Sequence, residues 1–121
     1  ILFFTQAIGC ETCAETKQIL DEITEATEQV TIEEVNFVLE GERAASYGID
    51  RAPGLVLLAG AEKADTRIRM LGAPAGYAFM SLVDAILLVS GGSPQRLSAA
   101  TEARVAGVTE PITVQVFVTP T

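Results

Sequence analysis

Two hydrophobic periods run along the chain, one suited to strands and one to helices. Ile1 to Thr5 is apolar and β-favouring, which predicts a buried strand, and Gln6 to Gly9 reads as a short loop. A helix is predicted from near Cys10 to about Glu28, because Ile19, Leu20, Ile23 and Ala26 recur three and four apart on one face. Thr31 to Leu39 mixes Ile32, Val35 and Phe37 with acids, the pattern of a half-exposed strand. Glu40 to Tyr47 reads as a short helix, with Gly48 placed to close it in the left-handed region.

Ala52-Pro53-Gly54 interrupts the chain before Leu55-Val56-Leu57-Leu58, a short strand apolar on both faces. Gly60 to Asp65 predicts a turn. Thr66 to Leu71 alternates Arg67 and Arg69 with Ile68 and Met70, the returning strand of a hairpin. After the loop Gly72 to Gly76, a helix is predicted from about Tyr77 to Val89, with Phe79, Leu82, Val83 and Ile86 on its core face and Gly91-Gly92 ending it. Ser93-Pro94 reads as another helix start, ending near Gly107, and Ile112 to Val118 as a last strand. The order βαβα, then ββα, predicts a mixed α/β domain: a central sheet of about four strands flanked by helices. Residues 1–92 would form that unit, 93–110 a linking helix, and 111–121 the first strand of a truncated second unit. The closing VQVFVTPT resembles the opening ILFFTQAIGC, so an internal repeat is one reading; the match is short, and chance similarity is the other.

Composition narrows the function. The chain has 121 residues, 49% of them apolar and 20% charged, enough for one compact core. Its formal charge of −8 repels phosphate backbones and anionic lipid, so neither nucleic acid nor a membrane surface is expected as a partner. No stretch is long enough for a signal peptide or a membrane span, and a cytoplasmic location is expected. With no His, Ser-His and Cys-His catalysis is excluded, as is any metal site that needs imidazole. No cofactor is implied.

The two cysteines, Cys10 and Cys13, form a C-x-x-C at a strand-to-helix junction, a pattern that reads as a redox pair. A helix N-terminus stabilises a thiolate, so Cys10 is assigned as nucleophile, and Cys13, one turn later, as resolving thiol. Glu11 and Glu15 place negative charge beside it, which opposes the thiolate and favours a reducing couple; together with Thr12 they are the candidate tuning residues. Pro53 suits a cis turn across from the cysteines that leaves the Ala52 backbone free to pair with an extended substrate. A closed zinc site needs four ligands and could form only between two chains. A purely structural disulfide would close too small a loop to constrain the unfolded chain much.

At Cys10, at Arg51-Ala52-Pro53 and at Gly72-Ala73-Pro74-Ala75-Gly76 the sequence resembles the first half of the glutaredoxin-like protein disulfide oxidoreductases, which join two thioredoxin-fold units. It is similar also to the N-terminal part of the flavoprotein component of alkyl hydroperoxide reductase. The resemblance implies a thioredoxin/glutaredoxin-like fold, thiol–disulfide exchange with disulfide-containing proteins, and exchange of electrons with an NADPH-linked flavoprotein reductase or a peroxiredoxin. It carries over to Cys10, Cys13 and Pro53. The Glu11-Thr12 dipeptide departs from relatives that often carry an aromatic residue before the second cysteine. A non-catalytic docking unit is the alternative function. Glutathione-dependent chemistry would need a glutathione site, for which only Pro53 is a candidate. An unpaired strand at Ile112 to Val118 would either join a second copy in a homodimer or pack onto its own sheet.

Overall fold

A computed structural model describes residues 1–92 and 96–119. Leu2–Thr5 (β1) lies at the centre because its side chains alternate between two apolar layers. Leu2 and Phe4 pack with Val35, Ala44, Ile49 and Val56 on one face of the sheet. Phe3 packs with Leu20, Leu55, Leu57 and Leu82 on the other. The remaining elements are α1 (Cys13–Ala26), β2 (Glu33–Asn36), α2 (Gly41–Ser46), β3 (Gly54–Ala59), β4 (Ala64–Leu71), α3 (Tyr77–Val89) and α4 (Ala99–Ala106). The sheet order is β2-β1-β3-β4. β1 runs parallel to β2 and antiparallel to β3, and β3 and β4 form the expected hairpin. Being central, β3 is apolar on both faces, with Leu55, Val56 and Leu57 all buried.

Several predicted boundaries move, for local reasons. α1 begins at Cys13, not Cys10, because Thr12 has φ −109° and ψ 4°, outside the helical region. β2 is shorter than predicted because the Asn36 carboxamide oxygen accepts hydrogen bonds from the Val38 and Leu39 amides and turns the chain. α3 has the predicted bounds, yet Phe79 is 37% exposed and only Leu82 on that face is fully buried. The predicted start at Ser93-Pro94 lies outside the described residues. The described helix opens at Ser98, whose hydroxyl accepts the Thr101 amide, and closes at Gly107 as expected.

Ile112 to Val118 forms no strand. A strand requires a neighbouring ladder, and none pairs with this segment among the described residues. Its apolar side chains stand in solvent, with Val114 80% and Phe117 89% exposed, so this segment does not pack onto its own sheet.

Candidate functional site

β1 delivers the first half of the site. Its buried phenylalanines fix the strand, and the loop that leaves Thr5 is shaped by the Gln6 carboxamide, which donates to the Ile8 carbonyl at 3.0 Å. Gly9 follows with φ 78°, a left-handed turn that glycine adopts without steric cost. Cys10 is then joined to Cys13 by a disulfide, with Cα atoms 5.5 Å apart. Cys10 is half-buried, whereas Cys13 is only 5% exposed. Glu11 and Glu15 are both exposed, and Thr12 is half-buried.

One turn into α1 from Cys13 lies Thr16, which sequence reasoning missed. It is fully buried, and its amide and hydroxyl both donate to the Thr12 carbonyl, at 3.0 and 2.8 Å. Cys13, Thr16 and Leu20 share one helix face, so the polar Thr16 continues an apolar stripe. A threonine satisfied by its own helix can be buried at little cost. The signal was its spacing from Leu20 and Ile23, obscured by its polarity.

The loop ahead of β3 delivers the second half. The Ala52–Pro53 peptide bond is cis. Pro53 is buried and its carbonyl accepts the Gly72 amide at 2.8 Å, whereas the Ala52 backbone makes no hydrogen bond among the described residues. Phe4 pairs with Gly54, so Pro53 comes at the end of the sheet from which the cysteine loop departs. Gly54 has a steric reason to be glycine. A Cβ there would meet Ile49 Cγ2 at 2.7 Å and the Arg51 carbonyl oxygen at 3.1 Å.

A clamp holds this loop from the side. The Arg69 Nε donates to the Tyr47 carbonyl at 2.7 Å, and its guanidinium lies 5.4 Å from the Tyr47 ring centroid. Its two terminal nitrogens grip Asp65 at 2.8 and 2.7 Å, holding that carboxyl down to about 2; the Arg67 amide adds a further hydrogen bond. Residues four apart in a regular strand lie too far apart for this. A bulge, with Arg67 at φ 65°, brings them together. The sequence shows Arg69 as one of two alternating arginines, and nothing in that alternation marks the bulge.

Neither described groove includes a cysteine. One of about 820 Å³ opens at the far end of the sheet, near Ile1, Thr31 and Leu57, and one of about 290 Å³ lies between α1 and β2. No group of three or more potential metal ligands occurs among the described residues, and none of the described helices is long and apolar enough to cross a membrane.

A mixed sheet ordered β2-β1-β3-β4, a disulfide where β1 passes into α1, and a cis-proline ahead of β3 define a thioredoxin-fold redox unit. No family model and no curated protein matches the chain. Among solved structures it is similar to AhpF, an alkylhydroperoxide reductase protein from Enterococcus faecalis: 30% identical, TM-score 0.74, covering 89% of this chain and 50% of that one. It is similar also to the NTD_N/C domain of AhpF from the same organism: 29% identical, TM-score 0.75, covering 90% of this chain and 51% of that one. The chain thus spans about half the length of each. The chain has the fold of a glutaredoxin-like unit and is similar to the N-terminal region of AhpF.

Proposed function

We propose that the chain is a thiol–disulfide oxidoreductase unit that exchanges its Cys10–Cys13 disulfide with disulfides of protein substrates. The observation that carries this reading is the bonded pair itself, one sulfur on a half-buried residue and the other on a buried one, at a loop-to-helix junction. An incoming disulfide can reach Cys10 more readily than Cys13. In the reduced unit, the Cys10 thiolate attacks one substrate sulfur, and the other leaves as a thiolate and takes up a proton. Cys13 then loses its proton and attacks Cys10 Sγ, expelling the second substrate sulfur as a thiolate that takes up a proton from water. Counting the proton that Cys10 releases on ionising, two electrons and two protons pass from the dithiol to the substrate, and the internal disulfide is restored.

The Ala52 backbone, with no hydrogen bond among the described residues, is available to an extended substrate strand; Pro53 shapes the turn that presents it. Glu11 and Glu15 disfavour the thiolate, with Thr12 completing the tuning turn, so the couple lies below roughly −200 mV. Similarity to AhpF supports electron exchange with an NADPH-linked flavoprotein reductase or a peroxiredoxin; a cytoplasmic setting is part of the same proposal.

Insulin reduction by the chain and its variants tests the reading. Cys10→Ser is expected to abolish turnover. Cys13→Ser is expected to accumulate a substrate linked through Cys10, visible as a mass adduct that dithiothreitol removes. Full turnover by Cys10→Ser would overturn the assignment.

A further inference from the structure

We infer that Ile8, Val38 and Leu39 form an apolar docking surface beside the disulfide. The segment that it takes is a stretch of protein substrate whose aliphatic or aromatic side chains are flanked by Lys or Arg. The inference rests on the redox reading above and gives it a substrate class.

These side chains are 89%, 68% and 83% exposed, and all three sit on built turns. Ile8 is placed by the Gln6 carboxamide on its carbonyl and by the left-handed Gly9. Val38 and Leu39 are placed by the Asn36 side chain, which takes both of their amides, at 3.0 and 2.9 Å. The two turns leave parallel neighbouring strands at the same end of the sheet, tied where the Phe37 amide donates to the Thr5 carbonyl at 2.8 Å. Hydrogen-bonded turns that present large apolar side chains to water gain stability from that presentation only when a partner covers them.

Charge selects the partner. Glu11 follows the first turn, Glu40 and Glu42 follow the second, and all three are exposed. Of the nearby cations, Arg43 is engaged with Glu33 and Glu40 and Arg51 with Asp50, and neither Glu11 nor Glu42 is ion-paired among the described residues. An acidic border around an apolar patch attracts a basic border around another and repels an acidic one. A second copy, carrying the same acids and a net charge of −8, is the poorer occupant.

The test uses the full, reduced chain with three probes: a disulfide-linked peptide with Leu and Lys flanks, one with Ser and Glu flanks, and dithiobis-nitrobenzoate, a disulfide too small to span the turns. The Leu/Lys peptide is expected to react about tenfold faster than the Ser/Glu peptide at low salt, with the gap narrowing at about 0.5 M salt. The double variant Val38→Ser/Leu39→Ser is expected to lose about fivefold or more on the Leu/Lys peptide, with the dithiobis-nitrobenzoate rate and the melting temperature unchanged. Equal rates on both peptides, or a preference that survives the double variant, would overturn the docking surface while the redox reading stands. No reaction with any probe would overturn both. Dimerisation abolished by the double variant would assign the surface to a second copy and overturn the proposal.

Discussion

Gly54 and Arg69 show how single residues hold the proline loop in place. Gly54→Ala forces a methyl group against Ile49 Cγ2 and the Arg51 carbonyl, neither of them the free end of a flexible side chain. The loop must shift, and a loss of about 1–3 kcal/mol is expected in urea unfolding. Arg69→Met removes the donor to the Tyr47 carbonyl and the partner of Asp65 together, with an expected loss of about 1–3 kcal/mol. Arg69→Lys should recover only part of it, since an ammonium cannot grip Asp65 and Tyr47 with a planar fork. The same clamp sets a pH dependence. Asp65 is more acidic in the folded chain, at about 2, than its ordinary 3.8, so its contribution is complete above the ordinary value and fades as pH falls through about 2. With the Asp65 side chain 40% exposed, water screens the pair and the contribution is on the order of 1 kcal/mol. Asp65→Asn should therefore be less stable than the parent at about pH 7 and converge with it below about pH 2, as read by unfolding midpoints across that window.

At the scale of elements, α3 separates pattern from burial. Leu82 is buried completely and Leu88 is 47% exposed on the same helix. Leu82→Ala is expected to cost roughly 2–5 kcal/mol and Leu88→Lys no more than about 0.5 kcal/mol, compared by thermal melting. The bounds of α3 were legible because glycines punctuate both ends; which of its apolar residues are covered was not, because that depends on what packs against the helix. β1, β3 and the hairpin were legible for a like reason: runs such as Leu2-Phe3-Phe4 and Leu55-Val56-Leu57 have few alternatives to the middle of a sheet. The cysteine pair was legible from its spacing. The start of α1 was not, since the turn at Thr12 precedes the first helical residue, and neither was the end of β2, set by one asparagine side chain. The clamp between Asp65 and Arg69 exists only through a bulge, which leaves strand alternation almost unchanged in the sequence.

Over the whole molecule, the apolar half of the composition is unevenly used. The two core layers draw all of their buried side chains from residues 2–82, while α4 has none. An eight-residue helix is marginal in water without tertiary packing, so its amides are expected to exchange within seconds while those of β1 and β3 exchange only on global opening. Hydrogen-exchange mass spectrometry on the intact chain would separate the two classes; slow exchange in α4 would mean that a partner covers it. The segment after α4 sharpens this expectation. Ile112, Val114, Val116, Phe117 and Val118 are all exposed, and their β-favouring character makes the segment a ready strand for another chain's sheet edge. Concentration-dependent association by sedimentation is therefore expected of this chain. The variant Val114→Lys/Phe117→Lys should return it to monomer without moving the melting temperature, because neither side chain supports the core. A parent that stays monomeric at every concentration would instead show that charge repulsion between copies outweighs the attraction of five uncovered apolar side chains.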